Sequence, residues 1–250
     1  MRAHVVGGEI GYQIVGSGRP LVLLHAFPFD RRLWEGLAVP GRMLILPDLR
    51  GFGESPLRPF VIADLADDVA SLLDALELPG AAIGGLSWGG YVALAFARRH
   101  RGRTQGLLLA DTKAGPDTPE ARQGRGEAIE LVRAQGVAAY LEKQLPRLLS
   151  PTASASVRDR ARALGNQRAE AVITGLEALR DRPDRRPELP AIECPTVIVV
   201  GSADGLTPPD EARAMAQAIP RARLVEIPGA GHLANLEAPE AFAAAVATLA

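Results

Sequence analysis

The sequence has little cysteine, little net charge and no long apolar run, and each shortage excludes a class of protein. Its single cysteine, Cys194, cannot form an internal disulfide, and its four histidines lack the spacing of metal ligands. A formal net charge of −1 gives no reason to expect nucleic acid or an anionic membrane surface as a partner. Without a membrane-spanning stretch or a signal peptide at the start of the chain, we expect a cytoplasmic protein.

Short apolar runs that alternate with helical patterns make up most of the chain. Six runs are too short for helices and rich in branched residues, as buried strands are, at 21–24, 43–46, 81–83, 107–110, 197–200 and 224–227. Two further extended segments precede them, at 3–6 and 9–15. Apolar residues at helical spacing mark 62–76, 90–99, 210–218 and 239–249. This alternation predicts an α/β fold, with a mostly parallel eight-stranded sheet flanked by helices.

One interval, residues 118–190, breaks the alternation because it contains no candidate strand. Its helical patterns lie at 120–135, 137–149, 155–164 and 169–180. A charged, proline-rich stretch at 182–190 then leads back to the next strand. We therefore predict a core formed by residues 1–117 and 191–250, with an all-helical cap at 118–190 inserted after the sixth strand.

The sequence Gly85-Leu86-Ser87-Trp88-Gly89 fits the pattern G-x-S-x-G between a predicted strand and a predicted helix. In such a turn the serine occupies a strained backbone position and exposes its hydroxyl. A bare match would also suit a glycine-rich turn whose serine only caps the helix. The strand before it and the helix after it favour Ser87 as a nucleophile.

A serine nucleophile needs a base and an acid, and both candidates lie downstream. His232 follows the last strand in a glycine-rich loop and is the only histidine after His100. Asp204 follows the preceding strand, at the sheet edge where sites of open α/β sheets are built, and would orient the imidazole. Asp111 is its rival at the end of an earlier strand, whereas Asp48 fits a structural turn better. The chain order serine, acid, histidine favours Asp204.

The oxyanion of the tetrahedral intermediate needs preorganised donors, each contributing about 3–4 kcal/mol. The backbone amide of Trp88, directly after the nucleophile, is the first candidate. The second is the amide of Phe27, in the loop after the run at 21–24. We expect His25 in the same loop to shape it by hydrogen bonding rather than to act as the base.

With these residues assembled, the chain resembles the α/β-hydrolase superfamily from end to end. The segments that carry the resemblance are 25–28, 48–55, the serine turn, 201–208 and 231–242. Within the superfamily the chain is similar to bacterial carboxylesterases, cofactor-free haloperoxidases (perhydrolases) and 3-oxoadipate enol-lactonases. The resemblance implies the α/β-hydrolase fold, a helical cap over the active site, and acyl transfer without a metal or organic cofactor.

The resemblance also guides the expected substrate, which is a small ester or lactone. Four side chains are predicted to line the substrate pocket: Phe29, Tyr140, Leu141 and Leu145. An apolar pocket suits a neutral ester of short-to-medium acyl chain, cleaved through an acyl-enzyme on Ser87. Lactonase activity of the enol-lactone type or perhydrolase activity would use the same triad, and a small-ligand sensor with slow turnover is the alternative from another class. The oligomeric state does not follow from the sequence.

Overall fold

The centre of the molecule is an eight-stranded sheet, seen in a computed structural model that describes residues 1–6 and 8–249. Its strands are β1 (Arg2–Val5), β2 (Gly8–Gly16), β3 (Arg19–Leu24), β4 (Arg42–Pro47), β5 (Ala81–Leu86), β6 (Thr104–Ala110), β7 (Thr196–Gly201) and β8 (Ala222–Ile227). They lie in the order β1-β2-β4-β3-β5-β6-β7-β8. Strand β2 is antiparallel to both of its neighbours and the remaining pairs are parallel. The predicted mostly parallel sheet is therefore confirmed, while Gly7 and Ala250 of the predicted core lie outside the described residues.

Helices connect most of the strands. They are α1 (Ile62–Ala75), α2 (Trp88–Arg99), α3 (Pro119–Leu148), α4 (Ala155–Gly165), α5 (Ala169–Arg180), α6 (Pro209–Ala218), α7 (Ala234–Glu237) and α8 (Pro239–Ala247). The sequence did not predict the single turn α7. A short 3₁₀ helix, Arg186–Ala191, also overlaps the stretch 182–190 that was predicted to be a linker. No helix in residues 1–6 and 8–249 has both the length and the apolarity needed to span a membrane.

Two apolar clusters cover the two faces of the sheet, because successive strand residues point to opposite faces. In β3, Val22 and Leu24 join the first cluster, and Leu21 and Leu23 join the second. Helices α1, α2 and α6 pack on the first face, and α8 packs on the second. The central strands are thus buried on both sides, which is why they read as continuous apolar runs.

The chain between β6 and β7 is helical and packs against both clusters. Helix α3 contains a kink at Gly136, whose φ of 82° is not helical. The kink lies between the two helices that the sequence predicts, at 120–135 and 137–149. Val132 of α3 and Leu176 of α5 belong to the first cluster, whereas Leu164 of α4 belongs to the second. This insertion therefore shares its apolar clusters with the sheet.

Candidate active site

The turn between β5 and α2 holds Ser87 in a strained conformation, with φ 56° and ψ −114°. The two flanking glycines are needed because the strand and helix approach closely. A Cβ on Gly85 would lie 2.0 Å from the backbone of Gly89, and a Cβ on Gly89 would lie 2.2 Å from the carbonyl oxygen of Leu24. This close approach of β5 and α2 explains why glycine occupies both ends of the G-x-S-x-G pattern.

The end of β6 holds the backbone of Ser87 from both sides. The Ser87 amide donates to the carbonyl oxygen of Ala110 at 2.8 Å. The hydroxyl of Thr112 donates to the carbonyl oxygen of Ser87, also at 2.8 Å. These bonds support the unusual backbone angles, so the side chain of Ser87 is left at the carboxyl edge of the sheet.

His232 and Asp204 form a buried pair at the same edge, after β8 and β7 respectively. The Nδ1 atom of His232 lies 2.8 Å from Oδ2 of Asp204. The same carboxylate oxygen accepts a hydrogen bond from the Thr207 hydroxyl at 2.6 Å. Its other oxygen accepts from the amides of Leu206 at 2.8 Å and Thr207 at 3.0 Å. Each carboxylate oxygen of Asp204 thus has two hydrogen-bond partners.

These contacts decide the charge of Asp204 and the tautomer of His232. Burial would raise the pKa of Asp204, but the neighbouring His232 and the hydrogen bonds from His232 and Thr207 hold it below its usual range. A carboxylate can only accept, so Nδ1 is the nitrogen that donates to Asp204, and the neutral tautomer with this bond has its lone pair on Nε2. The Nε2 atom is buried and makes no hydrogen bond with any described residue, Ser87 included. Catalytic contacts of this kind often tighten only when substrate binds.

The rival acid, Asp111, has different surroundings. Its Oδ1 accepts a hydrogen bond from the Gly201 amide at 2.8 Å, and its Oδ2 has no partner in the described part of the chain. Burial, together with the charge of Asp204, raises the pKa of Asp111 well above its usual range. The raised pKa favours the protonated form of Asp111, whereas Asp204 is the carboxyl group that lies within hydrogen-bond distance of His232.

Two other candidate residues have structural partners. Nε2 of His25 accepts from the Leu49 amide at 2.9 Å, and its Nδ1 lies 3.0 Å from the carbonyl oxygen of Ala26, to which it can donate. Both ring nitrogens are therefore engaged with backbone. Asp48 accepts from the backbone amides of Arg31 and Glu54, both at 2.8 Å, as a residue in a structural turn would.

The two candidate oxyanion donors lie together at one cavity wall with Ser87. Trp88 is the first residue of α2, so its amide has no acceptor within the helix. The Phe27 amide donates to no described residue. The rings of Phe27 and Trp88 stack with centroids 5.2 Å apart. Both amides are thus available to a group bound in the cavity.

That cavity has a volume of about 470 Å³ and lies between the sheet edge and the insertion. Its apolar wall includes Phe27, Trp88, Tyr91, Ala128, Leu131, Tyr140, Leu148, Leu179 and Leu206. Its charged lining residues are Lys113, Asp117, Glu120, Arg125, Glu127, Lys143 and Arg147. The volume is within the range of small-molecule sites, about 300–1,000 Å³.

Of the four residues predicted to bind substrate, only Tyr140 lines this cavity among the described residues. Phe29, Leu141 and Leu145 are instead buried in the second apolar cluster, so their predicted placement is corrected. Neighbouring helical residues point about 100° apart. Tyr140 therefore faces the cavity while Leu141 packs against Gly165 of α4.

Sequence reasoning missed several residues that the structure brings to this site. Thr207 bonds to Asp204, and a hydroxyl three residues after an aspartate is a recognisable local signal. Glu237 accepts from the amides of Gly231 at 3.0 Å and Ser150 at 3.1 Å, and so joins the histidine loop to the end of α3. No local pattern indicates that second bond, because its partners are far apart in sequence. Across the described residues, no cluster of three or more potential metal ligands is present.

Comparison with known proteins gives consistent matches along the chain. The model of a family described as the alpha/beta hydrolase family matches residues 21–245. A pimeloyl-[acyl-carrier protein] methyl ester esterase of Neisseria meningitidis serogroup B is 32% identical and covers 90% of each chain. 3-Oxoadipate enol-lactonase 2 of Acinetobacter baylyi is 31% identical over 81% of this chain and 76% of its own. A solved thermophilic esterase from Thermogutta terrifontis is 39% identical, with a TM-score of 0.93 over 98% of this chain and 96% of that one.

Proposed function

Since the chain belongs to the alpha/beta hydrolase family, we propose that it is a serine hydrolase that cleaves carboxylic esters of short-to-medium acyl chain. One observation carries the proposal: the buried His232–Asp204 pair shares the carboxyl edge of the sheet with the strained Ser87, which lines a cavity. The esterase relatives support the same class of reaction.

The proposed reaction has two acyl-transfer steps. The Ser87 hydroxyl attacks the ester carbonyl while Nε2 of His232 takes its proton, and Asp204 stabilises the imidazolium. The amides of Phe27 and Trp88 hold the oxyanion of the tetrahedral intermediate. His232 returns the proton to the departing alcohol and leaves an acyl-enzyme on Ser87. Water, deprotonated by His232, then attacks the acyl-enzyme, and the carboxylic acid and the free serine are released.

The size of the cavity supports small esters as substrates. It holds about 470 Å³, and its inner wall combines aromatic rings with leucine side chains from α3 and α5. Such a site must bury most of a ligand's surface, so a long acyl chain would extend beyond the wall. We therefore place the preferred acyl group between acetyl and hexanoyl.

A lactonase is the second candidate function, and the similarity to 3-oxoadipate enol-lactonase 2 favours it. The same groups would open a lactone, with the leaving alcohol still tethered to the acyl group. Values of kcat/KM for p-nitrophenyl esters and for a small lactone panel distinguish the two candidates. Higher kcat/KM values for the esters would support the esterase, and higher kcat/KM values for the lactones would support the lactonase.

Replacing the nucleophile tests the proposal directly. Ser87→Ala should lower ester turnover by about 10⁶, because only the oxyanion donors and substrate binding remain. An organophosphate should form an adduct on Ser87 of the unmodified protein, located by mass spectrometry. Ser71→Ala in α1 is the matched control, since its hydroxyl donates to the carbonyl oxygen of Asp67 within the same helix. Near-normal activity of Ser87→Ala, or an adduct on another serine, would contradict the assignment.

A further inference from the structure

The chain segment directly after β6 brings a lysine, Lys113, to the lining of the cavity. It lies three residues beyond the end of β6, directly after Thr112, which bonds to the carbonyl oxygen of Ser87. Lys113 is half-buried and lines the cavity. Its ammonium forms no ion pair or hydrogen bond with the described residues. The only other lysine of the chain, Lys143, is exposed at the outer wall.

The charges around Lys113 do not supply the missing partner. Asp117 is already shared by two arginines, at 3.1 Å from Nε of Arg125 and 2.7 Å from Nη1 of Arg182. Glu211 of α6 acts on Lys113 only at longer range and forms no ion pair with it. The negative charges of the two carboxylates equal the positive charges of the two arginines. The positive charge of Lys113 therefore remains uncompensated.

The outer wall of the cavity adds no net charge to this balance. Its exposed charged groups are Lys143, Arg147, Glu120 and Glu127, two of each sign. Ion pairs between such solvated groups contribute little, about 0–1 kcal/mol. The charge of the cavity lining that its neighbours do not offset is therefore that of Lys113. Partial burial strengthens the attraction between this charge and an anion bound in the cavity.

We propose that Lys113 binds a second, ionised carboxyl group of the substrate. The preferred esters are then half-esters of dicarboxylic acids, or esters in which the hydroxyl group of a hydroxy acid is acylated and its carboxylate is free. An ammonium offers three donors to such a group. The carboxylate would provide the counter-charge that no described side chain provides. This inference rests on the proposed function, because the same cavity must also present the ester to Ser87.

Two matched substrate pairs test the site. The first is monomethyl adipate and its monoamide, which carry the charge difference on the acyl side. The second is the acetyl ester of γ-hydroxybutyrate and its primary amide, which carry it on the alcohol side. The carboxylate member of at least one pair should have a kcat/KM about tenfold higher or more, as expected for a hydrogen bond between charged groups.

The variant Lys113→Met keeps an unbranched side chain only one atom shorter and removes its charge. It should bring the carboxylate-to-amide ratio of kcat/KM close to unity, mainly by raising KM for the carboxylate member. The ratio is independent of the fraction of folded protein, so partial misfolding does not imitate the result. Lys143→Met is the matched control and should keep the ratio of the unmodified protein.

Three results would overturn the proposal. These are equal kcat/KM for both members of both pairs, a preference that survives in Lys113→Met, and an equal loss in Lys143→Met. Calorimetry with the Ser87→Ala variant separates this failure from a failure of the proposed function. Tighter binding of monomethyl adipate than of its monoamide, lost in the Ser87→Ala/Lys113→Met double variant, supports the site even if no ester is hydrolysed.

Discussion

At the scale of single residues, the hydroxyl of Thr207 contacts two members of the proposed triad. It donates to Oδ2 of Asp204 at 2.6 Å and lies 3.2 Å from Nδ1 of His232. Together with the two backbone amides on Oδ1, it fixes the plane of the carboxylate. The direction in which Asp204 faces the imidazole therefore depends on a side chain that does not itself take part in proton transfer.

Thr207→Val should consequently lower kcat by about 10- to 100-fold, the effect of losing one hydrogen bond to a charged group. Valine has the shape of threonine without the hydroxyl, so KM should change little. Thr207→Ser restores the hydroxyl and should recover most of kcat. Equal losses in the valine and serine variants would show that shape rather than hydrogen bonding matters at this position.

At the scale of secondary-structure elements, the rotation of α3 about its axis decides which of its side chains face the cavity. Leu131 lines the cavity, as does Leu179 of α5. Leu141, on the same helix as Leu131, is buried against α4 instead. The two leucines of α3 therefore provide a comparison between a cavity wall and an apolar core.

Leu131→Ala should shift the best acyl chain to longer esters, because the shortened side chain extends the cavity. Each further methylene that fits should contribute about 0.8 kcal/mol, or about fourfold in kcat/KM. Leu141→Ala should instead cost about 2–5 kcal/mol of stability and leave the profile unchanged. Profiles over p-nitrophenyl acetate to decanoate measure both effects. A shift in Leu141→Ala without one in Leu131→Ala would reverse the placement of these two residues.

Comparison of the elements with the sequence shows which features of the fold and of the candidate site were predictable. The central strands were predictable because strands buried on both faces form continuous apolar runs, and Ser87 because its motif is local. The choice of Tyr140 over Leu141 was not predictable, since helical spacing defines an apolar stripe but not the part of it that borders a cavity. The isolation of Lys113 depends on ion pairs among residues 117, 125 and 182, which only the tertiary structure reveals.

At the scale of the whole molecule, buried carboxyl groups give stability an optimum in pH. Despite the opposing effect of burial, Arg125 and Arg182 hold the pKa of Asp117 below its usual range, and His232 together with the hydrogen bonds to Asp204 holds the pKa of Asp204 below its usual range. The stability that they contribute is present above about pH 4 and is lost as pH falls through their folded-state values. The pKa of Asp111 is raised, so its contribution is largest below about pH 4 and declines as pH rises toward its folded-state value.

Asp111→Asn should therefore flatten the alkaline side of the stability curve. Asparagine keeps an acceptor for the Gly201 amide but has no proton to lose. The free energy of unfolding in urea, measured from about pH 5 to about pH 9, should fall less steeply than in the unmodified protein. Asp74→Asn is the control, because that side chain is 70% exposed. Parallel curves for Asp111→Asn and the unmodified protein would show that Asp111 ionises normally.

The hydrogen bonds between the end of α3 and the histidine loop affect how the protein can be recombined with its relatives. The amide of Leu233 donates to the carbonyl oxygen of Leu148 at 3.0 Å, and Glu237 joins the same two segments. A chimaera that exchanges the whole insertion would remove these partners from the loop that carries His232. A crossover at Gly136 exchanges the first half of α3, with its share of the cavity wall, and leaves them in place. Libraries of such hybrids can therefore vary the cavity wall while they inherit the proposed triad with its supporting hydrogen bonds intact.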